Sequence, residues 1–106
     1  MNRWSIPPWL EEAVLERDQA CIYCAVPFST PANRRGDRPS WEHIINDMNI
    51  VTLQNIARCC LSCNASKGAK HLRSWLQSPY CLRKNISEST VAPIARQALL
   101  NGSAIQ

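Results

Sequence analysis

The chain has 106 residues, a length that predicts a single domain spanning residues 1–106. Hydrophobic residues make up 45% of it and charged residues 19%, a composition typical of a globular protein and not of a disordered one. No apolar run approaches the length needed to cross a bilayer, and residues 1–8 lack the apolar segment of a secretory signal. The sequence therefore predicts a cytoplasmic protein without a membrane partner.

The positive charge is concentrated in one part of the chain. The net charge is +4 overall, but residues 1–20 hold two arginines against four acidic residues. Residues 21–106 hold ten lysines and arginines against four acidic residues, and they also contain every cysteine and histidine. A positive field around the candidate site residues favours an anionic partner such as nucleic acid.

The first predicted element is a helix over residues 7–18. Prolines near its start suit the first helical turn, and apolar residues at helical spacing predict a face that packs on the core: Trp9, Leu10, Ala13 and Val14. A tight turn is predicted at residues 21–24. The following stretch, residues 29–40, combines proline, glycine and arginine, which predicts an exposed basic loop.

The centre of the chain predicts a small sheet followed by a helix. Residues 40–45 and the β-branched stretch 50–53 are predicted as two strands, with turn-forming residues at 46–49 between them. A helix is expected to begin near Cys60 and to loosen at Gly68. Together with the first helix, these elements predict an α+β fold.

Further helices are predicted within residues 70–100. One covers residues 70–77 and ends at Ser78-Pro79, because a residue before proline disfavours the helical conformation. Thr90 is predicted to cap the last helix, which ends at Asn101-Gly102. The residues predicted to face inward along this last segment are Val91, Ile94, Ala95, Ala98 and Leu99.

Four of the six cysteines form two pairs with Cys-x2-Cys spacing. Each such turn directs two thiolates at one ion, so the pairs predict a structural zinc bound by Cys21, Cys24, Cys60 and Cys63. This zinc would join the end of the first helix to the start of the second and stabilise a small core. Cys59 and Cys81 fall outside the spacing and are predicted to be small buried residues. Buried reduced cysteines, a redox Cys-x2-Cys and a disulfide-linked interaction protein remain alternatives.

Other polar residues follow one another around these pairs in a distinctive order. The pieces are Arg17-Asp18-x2-Cys21-x2-Cys24, Glu42-His43-Ile44 and Asn55-x4-Cys60-x2-Cys63-Asn64-x2-Lys67-Gly68. Over residues 17–68 this order and spacing resemble the HNH, or ββα-metal, endonuclease family in its zinc-containing form. The resemblance implies a small ββα-metal (His-Me finger) unit with a four-cysteine zinc site and flanking helices.

The resemblance also implies a role for each matching residue. His43 would be the general base that activates water, and Glu42 with Asn64 would bind the catalytic Mg²⁺ or Mn²⁺. Asn55 would hold the loop and the backbone around His43. The implied reaction is hydrolysis of DNA that leaves 5′-phosphate and 3′-hydroxyl ends.

The region of the implied base departs from the commonest family pattern. Glu42 stands where the family usually has Asp, and Asn46 stands where it usually has Pro. Adjacent side chains of a regular strand point to opposite faces of the sheet. Glu42 and His43 can therefore serve one site only if the chain bends there or the cation lies at the sheet edge.

Basic residues flank the motif and are predicted to contact DNA phosphates. The candidates are Arg58, Lys67, Lys70 and Arg73 beside the motif, with Arg34 and Arg35 in the basic loop. On a helix, Lys67 would share a face with Asn64 and place a cation beside the catalytic metal. Double-stranded DNA is the expected partner, and cleavage of both strands would require a homodimer or two successive nicks.

The sequence thus predicts a metal-dependent endonuclease that cleaves DNA, with most substrate contacts made to phosphate. The alternative is a zinc-stabilised nucleic-acid-binding module that has kept the scaffold and lost catalysis. A plasmid-cleavage assay separates these two interpretations.

Overall fold

The structure, a computed structural model, describes residues 5–28 and 35–101. Its architecture is α+β, and its elements in chain order are α1 (Pro8–Arg17), a 3-10 turn (Arg35–Asp37), β1 (Pro39–His43), β2 (Ile56–Cys60), α2 (Leu61–Lys67), α3 (Leu72–Trp75), α4 (Pro79–Lys84) and α5 (Pro93–Asn101). None of the helices in the described ranges has the length and apolar character that crossing a membrane requires.

The two strands form an antiparallel pair in which Pro39 lies opposite Cys60 and His43 lies opposite Ile56. Helix α2 follows β2 with no loop between them. The first strand, predicted at residues 40–45, overlaps β1. The prediction of a second strand at residues 50–53 is wrong, since the second strand is β2. Two strands and a helix nevertheless follow one another along the chain, as the sequence predicts.

The segment that was expected to be the second strand is a turn. The backbone N–H groups of Asn55 and Ile56 both donate to the carbonyl oxygen of Thr52, at 3.1 and 2.8 Å. Val51 packs against the apolar cluster formed with α1. Because β-branched residues favour any half-buried packed surface, Val51 is accounted for by this contact with the core without a strand.

Helix α1 confirms the helix predicted over residues 7–18, but it packs through a narrower face. Leu10 and Val14 lie four residues apart on one side of the helix and are fully buried in a cluster with Ile56. Trp9, predicted on the same face, is 63% exposed. Its side chain is offset from that of Leu10 by about 100° around the helix, which turns it away from the core.

The larger part of the core lies among the turn after α1, β2 and the helices that follow. Trp75 of α3 is fully buried within it. Each of these elements contributes buried side chains to one continuous cluster, among them Tyr23, Ala57, Cys63, Leu72, Cys81 and Leu99. The cysteine pairs are thus part of the core and not an appendage to it.

The chain contains a helix that the sequence analysis did not predict. Helix α3 is only four residues long, and α4 begins at Pro79, where the Ser78 side chain accepts a hydrogen bond from the backbone N–H of Cys81 at 3.3 Å. Ser78-Pro79 therefore begins a helix as well as ending one, because proline suits the first helical turn and serine caps it.

The last helix begins later than predicted. Helix α5 starts at Pro93, and Thr90 does not cap it; its hydroxyl oxygen accepts a hydrogen bond from the backbone N–H of Ser87 at 2.8 Å, in the turn before the helix. Among the residues predicted to face inward, Val91, Ala95 and Leu99 are fully buried and Ile94 and Ala98 are partly buried.

Two adjacent charged residues join the end of α1 to β2. Arg17 donates from Nε and Nη2 to the two carboxylate oxygens of Asp18 at 2.7 and 2.8 Å, and it also donates to the carbonyl oxygens of Leu53 and Ile56. Buried Asp18 accepts in addition from the backbone N–H of Arg58 at 3.1 Å. These bonds hold together the two parts of the chain that carry the cysteine pairs.

Replacing Asp18 with alanine is expected to lower the free energy of unfolding by about 2–3 kcal/mol, because a buried hydrogen bond to a charged group contributes about 1.5–3 kcal/mol. Urea unfolding measures the loss. Glu16→Ala, at an exposed position of the same helix, is the matched control and should change stability by less than about 0.5 kcal/mol. An effect at Asp18 no larger than that of the control would contradict this role.

Candidate metal centre and adjoining cavity

The four cysteines of the two Cys-x2-Cys pairs come together at one point. Their sulfur atoms all lie within 4.8 Å of one another, and the Cys24 and Cys60 sulfurs are 3.7 Å apart. Four sulfurs arranged tetrahedrally at about 2.3 Å from a zinc ion would be about 3.8 Å from each other. The cluster of Cys21, Cys24, Cys60 and Cys63 could therefore hold a zinc ion.

Local backbone geometry directs these thiols inward. The Cys21 sulfur accepts from the backbone N–H groups of Tyr23 and Cys24, both at 3.4 Å. In the second pair, the Cys60 sulfur caps α2 by accepting from the N–H of Cys63 at 3.4 Å. Hydrogen bonds of this kind stabilise the thiolate form, which is the form that binds metal.

The first turn closes through a left-handed residue. Ala25 has a φ of 68°, and its N–H donates to the carbonyl oxygen of Cys21 at 3.0 Å. A residue with a Cβ atom is strained in this conformation. The turn that Ala25 closes brings the sulfurs of Cys21 and Cys24 into the same cluster.

The thiols of the cluster titrate as a group. Contact with Cys21 lowers the pKa of Cys24 and raises the pKa of Cys63. Sulfurs at this separation repel one another when they are charged, so some of them stay protonated in the absence of a cation. A divalent cation removes that conflict, because it neutralises the thiolates and deprotonates its ligands.

An aromatic layer covers the cluster on the side of the C-terminal helices. The Tyr80 hydroxyl of α4 donates to the Cys63 sulfur at 3.3 Å, and the rings of Tyr80 and Trp75 stack with their centroids 6.0 Å apart. Tyr23 meets the Trp75 ring edge-on at 4.9 Å. Sequence reasoning gave neither tyrosine a role, although the position of Tyr23 inside the first Cys-x2-Cys pair was a usable signal.

The remaining two cysteines stand apart from the cluster, as predicted. Cys59 and Cys81 are fully buried, and none of the six cysteines forms a disulfide. Burial raises the pKa of the Cys59 thiol, so it remains a neutral, small, apolar side chain. Only the residue that completes the x2 spacing, Cys60, reaches the cluster.

A cavity of about 530 Å³ adjoins the end of β1. It is lined by Glu42, His43 and Asn64, three of the predicted site residues, together with Ser40, Trp41, Asn46, Leu61 and Gly68. Glu42 and His43 both line this cavity although they are neighbours in β1, where Glu42 lies opposite Ala57 and His43 opposite Ile56. The bend that the sequence analysis required between them is not found within the strand; the chain bends after it, at residues 44–46.

Asn55 holds the chain that follows His43. Its side-chain oxygen accepts from the backbone N–H of Ile45 at 2.7 Å, and its amide nitrogen donates to the carbonyl oxygens of Ile45 and Ile50 at 3.2 and 3.0 Å. One buried amide thus satisfies three backbone groups of the loop between the strands. This fixes the direction in which the chain leaves β1.

His43 is buried at the inner end of the strand. Burial lowers the pKa of its imidazole below the usual value; Asp47 opposes this change and Lys67 adds to it. A histidine with a lowered pKa is predominantly neutral at pH 7, which is the protonation state that a general base requires.

Glu42 makes two close contacts through one of its oxygens. Oε2 accepts from the Tyr23 hydroxyl at 2.6 Å and lies 3.1 Å from the ammonium nitrogen of Lys67. Burial raises the pKa of the Glu42 carboxyl, while the charge of Lys67 and the hydrogen bond from Tyr23 oppose the increase. The carboxylate is therefore held in place by one residue from the first cysteine pair and one from α2.

The role predicted for Lys67 needs correction. The sequence placed it at a phosphate of bound DNA, but the residue is only 1% exposed and its ammonium is paired with Glu42. A buried lysine is stable only beside an opposite charge. Helical spacing correctly puts Lys67 on the side of α2 that faces the sheet, and that side is inside the protein.

Asn64 contacts β1 through its amide nitrogen. Nδ2 donates to Ser40 Oγ at 2.9 Å and to the carbonyl oxygen of Trp41 at 3.1 Å. Because a carbonyl can only accept, these contacts determine which end of the amide is the nitrogen. The expectation that the side-chain oxygen of Asn64 binds a cation stays a prediction.

The other predicted DNA-contacting residues have partners within the protein. The Arg58 guanidinium lies 4.9 Å from the centre of the Phe28 ring, and Lys70 donates to the carbonyl oxygen of Ser66 at 3.0 Å. Arg73 pairs with Glu88 at 3.5 Å, and both residues are about half exposed. Contacts of this kind at the surface are weak, so they leave these cations able to exchange partners.

The basic loop is only partly described. Arg34 lies outside the described residues, whereas Arg35 is exposed in the 3-10 turn before β1. This turn approaches the first turn of α2 so closely that a side chain at Gly36 would collide with Ser62. Arg35 is therefore held near the start of α2, where Leu61 lines the cavity.

The structure contains two sets of donor atoms that differ in chemistry. The first is the four sulfurs, which suit zinc. The second is a carboxylate, an amide and an imidazole that line one cavity, and oxygen donors such as those of Glu42 and Asn64 suit Mg²⁺ or Mn²⁺ better than zinc.

Comparison of the chain with protein-family models, with curated proteins and with solved structures gives no significant match.

Adjacent cysteines provide a matched test of the metal centre. Cys60→Ser is expected to abolish binding of about one zinc per chain and to prevent stable folding, because metal binding supplies folding free energy. Cys59→Ser changes an equally buried neighbour and should retain the zinc. Elemental analysis measures the zinc content of both purified variants. Loss of zinc from Cys59→Ser would contradict the assignment of the ligands.

The buried pair of Glu42 and Lys67 predicts a compensating double variant. Glu42→Gln alone leaves the Lys67 ammonium buried without a counter-charge and is expected to cost about 3–5 kcal/mol. Combining it with Lys67→Met removes both charges at similar volume and should restore most of that loss. Chemical unfolding of the two variants measures the difference. Equal stability of the single and double variants would show that the charges do not interact.

Proposed function

We propose that the protein is a metal-dependent endonuclease of the ββα-metal type that hydrolyses DNA phosphodiester bonds. The observation that carries this proposal is the cavity at the end of β1, which Glu42, His43 and Asn64 line together. The succession of two strands and a helix, with the cysteine cluster at the start of the helix, agrees with the architecture that the sequence resemblance implies.

In this proposal His43 is the general base. Its lowered pKa favours the neutral imidazole, which can accept a proton from a water molecule as that water attacks the phosphorus atom. Asn55 keeps the loop after His43 in one conformation through its three backbone hydrogen bonds. A fixed base is needed because proton transfer requires hydrogen-bond distance to the water.

Glu42 and Asn64 would hold the catalytic Mg²⁺ or Mn²⁺. The donor chemistry fits these ions, since both residues offer oxygen atoms and both line the cavity that contains His43. A divalent cation bound there supplies positive charge that stabilises the phosphate and the leaving oxygen. The zinc expected in the cysteine cluster would not contact the reacting atoms and would stabilise the fold.

The expected substrate is double-stranded DNA bound mainly through phosphates. The net charge of +4 and the exposed cations Arg35, Lys70 and Arg73 support an anionic partner. A cavity of this kind would act on one strand at a time, so cutting both strands would use a homodimer or two successive nicks.

A second candidate is a zinc-stabilised nucleic-acid-binding module without catalysis. The observation that favours it is the ion pair between Glu42 and Lys67, because the ammonium already balances the charge that a catalytic cation would need. The two candidates share the cysteine cluster and the basic surface. They differ in whether the cavity supports cleavage.

Plasmid nicking separates the candidates, and the two histidines provide the matched pair. We expect the native protein with Mg²⁺ or Mn²⁺ to nick supercoiled plasmid, and His43→Ala to reduce the rate by about 100-fold or more, because general-base catalysis contributes about 10²–10⁴-fold. His71→Ala changes an exposed histidine outside the cavity and should retain the native rate. DNA binding by gel shift is measured on the same samples.

Intact binding without nicking by the native protein would favour the binding module. Equal loss of nicking in both histidine variants would contradict the role assigned to His43. Zinc content is checked in each preparation, so that a loss of activity is not confused with a loss of the metal centre.

A further inference from the structure

Tyr23 connects the cysteine cluster to the catalytic cavity. It lies between Cys21 and Cys24 in the first pair, and its backbone N–H donates to the Cys21 sulfur at 3.4 Å. Its hydroxyl donates to Oε2 of Glu42 at 2.6 Å. One residue therefore contacts a sulfur of the cluster through its backbone and the cavity carboxylate through its side chain.

The Tyr23 side chain has little freedom to move. The residue is only 1% exposed, and its ring packs edge-on against Trp75 with the centroids 4.9 Å apart. The Trp75 indole is itself held by a hydrogen bond from Nε1 to Ser66 Oγ of α2 at 2.9 Å. A hydroxyl on a ring fixed in this way directs the carboxylate that it contacts.

We propose that Tyr23 is a positioning residue for Glu42, and that it fixes the orientation in which the carboxylate is offered to the catalytic cation. This inference rests on the proposed function, because it concerns the same cavity. Tyr23 and Lys67 both contact Oε2, and the backbone of His43 also hydrogen-bonds the carboxyl group, so the group is held in one orientation. Carboxylates that bind metals are commonly oriented by hydrogen bonds of this kind.

The arrangement gives the cysteine cluster an indirect effect on catalysis. The turn that carries Tyr23 is held by the hydrogen bonds to the Cys21 sulfur, and a metal bound to the cluster would fix the same turn. The cavity carboxylate is then positioned by a residue whose backbone belongs to the zinc site. Tyr23 does not touch the reacting atoms in this proposal; it acts through Glu42.

The test compares Tyr23→Phe with Tyr80→Phe in the full-length, zinc-loaded protein. Both variants remove one hydroxyl from a tyrosine beside the cluster, but only Tyr23 contacts Glu42; Tyr80 contacts the Cys63 sulfur. Mn²⁺ affinity is measured from the electron paramagnetic resonance signal of the free aqua ion. Mn²⁺ does not compete with zinc for thiolates, so the titration reports on oxygen donors.

We expect Tyr23→Phe to bind Mn²⁺ about 10- to 100-fold more weakly than the native protein, the usual effect of removing a hydrogen bond that orients a metal ligand. Tyr80→Phe should differ from the native protein by less than about threefold. The double variant Glu42→Gln/Lys67→Met, which lacks the carboxylate charge, should bind Mn²⁺ at least as weakly as Tyr23→Phe and identifies the Mn²⁺ site being titrated. Zinc content and thermal midpoint are recorded for every variant.

Three outcomes would overturn the inference. The first is a Mn²⁺ affinity of Tyr23→Phe equal to that of the native protein. In that case the proposed function survives if the native protein nicks plasmid and His43→Ala does not. The second is an equal loss of Mn²⁺ affinity in both tyrosine variants with loss of zinc, which would assign the effect to the cluster. The third is a native protein that neither binds Mn²⁺ nor nicks plasmid, and it overturns the proposed function as well.

Discussion

The convergence of four sulfur atoms is the constraint on which the rest of the structure depends. Cys21 and Cys24 come from the turn after α1, whereas Cys60 and Cys63 lie where β2 passes into α2. A chain of this size has a small core, and ordering so long a loop between the pairs opposes folding. A metal ion held by all four sulfurs would offset that entropy, and the same contact sets the position of α2 and of the residues that it directs towards β1.

The neighbouring Glu42 shows how the fold accommodates a buried charge. The residue is 6% exposed, and its carboxylate is balanced by Lys67 and hydrogen-bonded by Tyr23. Unpaired, a charge in this position would be very unfavourable. The pairing compensates the buried charge without a divalent ion, and a cation entering the cavity would have to bind beside an existing positive charge. Under the proposed function, affinity for a catalytic metal would therefore be modest until phosphate adds negative charge.

Much of this arrangement could be predicted from the sequence, and the exceptions have physical reasons. Cysteine spacing predicted the cluster because the x2 interval fixes local geometry independently of the rest of the chain. The partner of Glu42 could not be predicted, since pairing across α2 and β1 depends on how deeply the helix is buried. The second strand was misplaced because Val51 packs on the cluster formed with α1, and periodicity cannot distinguish that burial from strand formation. The α4 helix was missed because Ser78-Pro79 both ends and begins a helix.

The left-handed Ala25 in the first cysteine turn has an energetic consequence. An alanine in this conformation costs about 1–2 kcal/mol compared with its preferred one, which is a sizeable fraction of the stability of a small domain. A structural zinc site contributes about 10–16 kcal/mol of apparent binding free energy. Zinc bound to the four sulfurs would therefore outweigh the strain at Ala25 many times over, and the turn would keep its shape without a glycine at this position.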